Sequence, residues 1–164
     1  MKLEAVSCID SPVGKLAIGA TELGVAELTI LTPGQRRAEF SNSPIATAHL
    51  EAARMQIREF FSREREVFDL PLDLQGTAFQ KSVWKAIASL GSGKVLSYGQ
   101  LAEGIGKPLA ARAVGGAVGS NPVPLIIGCH RILGSSGRLT GYSGGGGLET
   151  KKWLLEFEGI EYRG

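Results

Sequence analysis

Cysteine is scarce in this chain of 164 residues, which has only Cys8 and Cys129. Two cysteines without Cys-x-x-Cys spacing argue against a disulfide framework, a dithiol redox motif and a structural zinc site, so no metal is expected. Long apolar runs are missing too. None approaches the roughly 20 residues of a membrane span, and Met1 to Asp10 lacks the apolar stretch of a secretory signal. A cytoplasmic location is therefore expected. Charge of one sign is in short supply: a formal net charge of +2 is too small to identify nucleic acid as a partner, although a local basic patch could still attract phosphates. What is abundant is ordinary core material, 43% hydrophobic, enough for a folded core in at most two small domains.

The first thirty residues read as short strands separated by turn chemistry. Ser11-Pro12-Val13-Gly14 precedes Lys15 to Ala20, and Glu22-Leu23-Gly24 precedes Val25 to Ile30, which predicts an antiparallel meander. Ser43 and Pro44 read as the cap and first residue of a helix with an apolar stripe of Leu50, Ala53, Ile57 and Phe60, suited to cover the sheet. The segment Asp69 to Gly76 breaks that pattern, and a domain boundary is placed there: an α+β domain over 1–75 and a mostly helical domain over 76–164. In the second domain Thr77 and Gln80 form a capping box for a helix carrying Phe79, Val83, Ile87 and Leu90. Ser97 and Gln100 form another, for a short helix that ends at Gly104 and Gly106 before Pro108 opens the next. Two helices joined by a tight glycine turn resemble a helix-turn-helix. Asn121 to Ile127 reads as a buried extended segment leading to Cys129. A glycine-rich loop over 137–147 and a terminal helix from Leu148 to Glu158 complete the chain.

Cys129 has His130 and Arg131 beside it. A neighbouring cation lowers a thiol pKa, and an imidazole can take the proton directly or through one water, so the sequence predicts an activated nucleophile. The plain alternative is an inert core cysteine. In the helix after Pro108, Arg112 is the only charged residue and Gly115 and Gly116 are interior, where each glycine costs about 1 kcal/mol relative to alanine. Close approach of another surface would explain them: either a neighbouring helix, or a nucleic-acid groove reached by Arg112. Tyr98 is a half-buried aromatic or a hydroxyl donor to a ligand. Ser143 and its glycines form a flexible loop or a binding loop. Glu158 gains nothing from the helix dipole and needs a partner such as His130 to have a purpose. Cys8 reads as a small hydrophobe of the first strand, His49 as a surface residue, and Arg63 to Glu66 as a solvated helix end.

The run Gly128-Cys129-His130-Arg131-Ile132, with Arg112-Ala113-Val114-Gly115 upstream and Gly141-Tyr142-Ser143-Gly144-Gly145 downstream, resembles the O6-alkylguanine-DNA alkyltransferases, also called methylated-DNA-protein-cysteine methyltransferases. The likeness extends from about Gly76 to Gly159 and includes Gly76-Thr77-Ala78-Phe79-Gln80, Val83-Trp84, Ser97-Tyr98, Leu101-Ala102, Asn121-Pro122 and Leu154-Leu155, all in family order. It implies an α+β fold, with a small antiparallel sheet and helix followed by a mostly helical, winged-helix-like domain containing the helix-turn-helix.

The resemblance also implies roles. Cys129 would accept the alkyl group irreversibly, once per molecule, with His130 as water-mediated base oriented by Glu158. Arg112 would enter the base stack in place of the flipped nucleotide, on a minor-groove face that includes Ala110, Ala111, Gly115 and Gly116. Tyr98 would protonate or polarise the departing guanine, and the Ser143 amide would contact its O6. Asn121 would brace the turn before the nucleophile, and the carbonyls of Cys129 and Ile132 would receive the exocyclic amine. The partner is double-stranded DNA containing O6-alkylguanine, met by a monomer without cofactor. One departure is Gly128, where the family usually has proline; a looser loop predicts slower transfer or a wider alkyl range, testable by single-turnover rates of Gly128→Pro. Two rivals are a cysteine hydrolase, which would turn over repeatedly, and a DNA-binding regulator indifferent to Cys129.

Overall fold

The computed structural model describes residues 2–142 and 144–164. The chain divides into two compact units, Met1–Gln75 and Gly76–Gly164. In the first, β1 (Ala5–Ile9), β2 (Leu16–Ala20), β3 (Val25–Ile30) and a two-residue β4 (Phe40–Ser41) form an antiparallel sheet in the order β3-β2-β1-β4. The turn residues between the first three strands make the meander local, and β4 closes the far edge. The central strand β2 is buried along its whole length. Helix α1 (Pro44–Phe61) covers the sheet with Leu50, Ala53, Ile57 and Phe60. Ser43 caps it by accepting the Ala46 amide, and proline occupies the first turn, where no amide is needed. Cys8 lies in β1 as expected but is only partly buried, and His49 uses its ring nitrogen on the Glu22 carbonyl.

The second unit begins with α2 (Ala78–Ala88), whose capping box has both of its hydrogen bonds. Val83, Trp84 and Ile87 form its buried face, and the Trp84 indole N–H donates to the Ala117 carbonyl of α4 (Ala111–Gly119) at 2.8 Å. That bond satisfies the one polar atom of a large buried ring. Helix α3 (Tyr98–Gly104) has the second complete capping box, from Ser97 and Gln100, and packs on α4. The helix-turn-helix is therefore α3 and α4. Pro108 does not open α4: it lies in the connecting turn, and the helix starts after Ala110, which supplies no side-chain cap.

Two further differences from expectation matter for the site. Residues 121–127 are not extended: the buried Val123, Leu125, Ile126 and Ile127 fold into a tight turn, with Leu125 in the left-handed region at φ 80°. The local apolar run could not show this, because burial constrains side chains and leaves the backbone free to turn. A two-rung parallel pair also forms between β5 (Leu96–Ser97) and β6 (Ile132–Leu133), with Leu96 opposite Ile132 and Ser97 opposite Leu133. Tyr98 follows β5 directly and the turn Cys129–Arg131 precedes β6 directly, so this pair ties the chain entering α3 to the chain leaving that turn. Helix α5 (Leu148–Phe157) buries Leu154 and Leu155 and leaves Trp153 partly exposed. Among the described residues no helix is long and apolar enough to cross a membrane.

Candidate active site

Cys129 opens a single 3₁₀ turn with His130 and Arg131. Its side of the turn faces a cavity of about 390 Å³ that is also lined by Tyr98, Gly115, Val118, Gly141 and Tyr142. The thiol belongs to a residue only 5% exposed, so it is reached through this cavity rather than from the open surface. Burial raises its pKa, and this outweighs the lowering contributions of Asn121, Lys151 and the loop backbone. The expectation of a thiol already acidified by its neighbours is thus corrected: the resting group is SH. Arg131 cannot acidify it, because its guanidinium is turned to Glu158 and the Leu90 carbonyl.

His130 is fully buried, and its Nε2 lies 2.6 Å from Glu158 Oε2. Its Nδ1 has no hydrogen-bond partner among the described residues. Burial lowers the imidazole pKa, while Glu158 works in the opposite direction. Glu158 caps the end of α5, and its carboxylate also accepts from Arg131 Nε at 2.8 Å, Arg131 Nη2 at 2.9 Å and the Gly93 amide at 2.9 Å. Burial alone would raise its pKa; hydrogen bonds and charge from His130 and Arg131 hold it at about 2. It is ionised at any ordinary pH.

Asn121 spans the turn before the nucleophile, donating from Nδ2 to the Ile127 carbonyl at 2.8 Å and accepting the Val123 amide at 2.9 Å. This ties down a stretch that holds the strained Leu125. The Ile132 carbonyl accepts from Lys151 Nζ at 2.9 Å, which occupies one of its two lone pairs. Tyr98 places its hydroxyl 2.7 Å from Thr140 Oγ1. Arg112 and Gly116 are exposed on α4, whereas Ala110, Ala111 and Gly115 are half-buried. A Cβ on Gly115 would meet only the Tyr98 ring, at 3.8 Å, and one on Gly116 would meet nothing. Packing against a neighbouring helix is therefore not the reason for Gly116. Ser143 lies outside the described residues.

At Gly128, φ is −74°, an angle proline adopts, but an added Cβ would come within 2.7 Å of Arg131 Nη1 and 2.9 Å of its Cζ. The space is taken by a guanidinium that is itself held by Glu158 and Leu90. A side chain at this position would have to displace that guanidinium.

Sequence reasoning missed three groups. Lys151, next to Lys152 on α5, is 1% exposed and donates to Ile132 O, Thr140 Oγ1 and Gly141 O. Burial lowers its pKa to about 8. Thr140 was hidden in a glycine-rich loop. The Tyr142 hydroxyl is buried against Cys129 without a hydrogen-bond partner among the described residues; burial first, then the sulfur, raises its pKa. No spacing rule signals any of these, because each is set by contacts with residues distant in sequence.

Chemically, the arrangement offers a thiol at a pocket large enough for a planar base, a carboxylate-anchored imidazole behind it and a phenol lining the same pocket. Residues 78–160 match the family model described as 6-O-methylguanine DNA methyltransferase, DNA binding domain. A methylated-DNA–protein-cysteine methyltransferase of Mycobacterium bovis is 43% identical over 92% of this chain and 89% of its own length. One of Methanosarcina barkeri is 44% identical over 92% and 94%. The crystal structure of Mycobacterium tuberculosis OGT in complex with DNA is 42% identical and superposes with a TM-score of 0.79, covering 94% of this chain and 92% of that one. This chain belongs to the methylated-DNA–protein-cysteine methyltransferase family.

Proposed function

We propose that the protein repairs DNA by transferring a methyl or other alkyl group from O6 of guanine to Cys129 Sγ, once per molecule. The observation that carries this is the shared cavity of Cys129 and Tyr98, with the His130–Glu158 pair behind the nucleophile. Nδ1 is the imidazole atom not committed to Glu158, so it receives the thiol proton through one water. The fixed negative charge of Glu158 stabilises the imidazolium that results. The sulfur lone pair attacks the alkyl carbon, the C–S bond forms and the C–O6 bond breaks, and the bonding electrons leave with guanine. A guanine anion is a poor leaving group. Tyr98 donates its proton as the bond breaks, and solvent later exchanges protons between the imidazolium and the phenolate. The thioether has no nucleophile poised to reverse it.

The alkylated base is out of reach inside a duplex, so the nucleotide is flipped into the cavity at a cost of a few kcal/mol. We assign the 76–164 domain to both DNA binding and alkyl transfer, with α4 against the minor groove. Ala110, Ala111, Gly115 and Gly116 allow close approach, and Arg112 fills the vacated stack. Asn121, Ile132 and Ser143 belong to the base pocket and its support. All these residues come from one copy of the chain, which fits action as a monomer. A cytoplasmic location fits a protein whose substrate is cellular DNA. The test is incubation with a duplex containing O6-methylguanine, followed by mass spectrometry. The expected result is one methyl on the peptide containing Cys129, at one equivalent per protein. Free methanol with unmodified protein would overturn the proposal in favour of a hydrolase.

A further inference from the structure

Lys151 is an ammonium held almost wholly inside the second unit, and no carboxylate among the described residues pairs with it. A buried charge without a counter-ion is costly and calls for an explanation. Its three protons point to the Ile132 carbonyl at 2.9 Å, the Thr140 hydroxyl at 3.2 Å and, more weakly, the Gly141 carbonyl at 3.5 Å. Thr140 is the only one of these that leads further, because its Oγ1 lies 2.7 Å from the Tyr98 hydroxyl.

The direction of the chain follows from donor counting. An ammonium has no acceptor, so Lys151 must donate to Thr140. A hydroxyl that accepts from a cation is polarised to donate its own single proton, and Tyr98 Oη is the oxygen within reach. Tyr98 then accepts from Thr140, and its own proton is left to point into the cavity it shares with Cys129. We propose that Thr140, backed by the Lys151 ammonium, is a positioning residue that turns the Tyr98 hydroxyl toward the departing guanine and stabilises the negative charge the phenol acquires. This rests on the alkyl-transfer reading above. A Lys151 pKa of about 8 leaves the ammonium mostly charged at neutral pH, as the arrangement needs.

The test is Thr140→Val, which keeps the shape and removes the hydroxyl. Single-turnover methyl transfer from an O6-methylguanine duplex should slow by about tenfold or more, the size of one charge-assisted hydrogen bond lost in the transition state. Thr140→Ser should recover most of the rate. In a Tyr98→Phe background, Thr140→Val should cause no further loss. Methyl iodide provides the control, because its leaving group needs no proton: methylation of Cys129 by this reagent should proceed in Thr140→Val as in the parent protein. An unchanged duplex rate in Thr140→Val would overturn the proposal. So would a loss that adds fully to that of Tyr98→Phe, or a parallel loss with methyl iodide, which would place Thr140 with the thiol or the fold instead. A parent protein that takes methyl from methyl iodide but none from the duplex would overturn the alkyl-transfer reading itself, and this inference with it.

Discussion

Glu158 receives four donor groups on two oxygens, from His130, twice from Arg131, and from Gly93. At the scale of single residues this is the most heavily committed side chain of the site, and its removal has two separable effects. Glu158→Gln leaves the Arg131 guanidinium buried and unpaired, a defect that typically costs about 3–5 kcal/mol. It also removes the charge that stabilises protonated His130. The expected outcome is a large loss of stability in urea denaturation together with slower methyl transfer; a variant as stable as the parent would contradict the account of the carboxylate as an anchor. Arg131 illustrates the limit of reading neighbours from sequence. Adjacency to Cys129 suggests a cation beside sulfur, but a 3₁₀ turn sends consecutive side chains in different directions, and the guanidinium ends up on Glu158.

At the scale of elements, legibility follows the range of the forces involved. The two capping boxes were evident because Ser or Thr and Gln three positions later act on their own backbone. The stripe of α1 was evident because a period of 3.6 survives any tertiary context. The β5–β6 pair was invisible, since two residues carry no periodicity and their partners are distant in sequence. Lys151 was invisible for the same reason: what buries it is the loop folded over α5. Helix α4 was half legible. Its interior glycines signalled close approach, and the open space beside Gly116 removes a helix partner from the choices. The prediction proper to α4 concerns Arg112. Arg112→Ala should reduce methyl transfer from duplex DNA far more than transfer from free O6-methylguanine base, which needs no flipping. Equal losses on both substrates, measured as single-turnover rates, would show that Arg112 does not act on the stack.

At the scale of the whole molecule, stability and the site share the same ionised group. The folded pKa of Glu158 is held at about 2 against an ordinary 4.5, so the folded state binds its proton later than the unfolded chain. Its contribution is therefore complete above the ordinary carboxylate range and is lost progressively as pH falls from about 4.5 toward about 2. Denaturation midpoints followed through that window should drop more steeply in the parent than in Glu158→Gln, and the two should converge at the acid end. Parallel curves would show that the group is not linked to folding. The described site residues all fall within the unit Gly76–Gly164, so this acid sensitivity and the loss of chemistry should appear together.

The carboxylate that steadies His130 stands 28 positions further along the chain. Ribosomes build proteins from the amino end, so during synthesis the sulfur of Cys129 exists for a time before the anchor of its base has been made. A chain halted inside α5 would hold Cys129 and His130 without the carboxylate that fixes the imidazole.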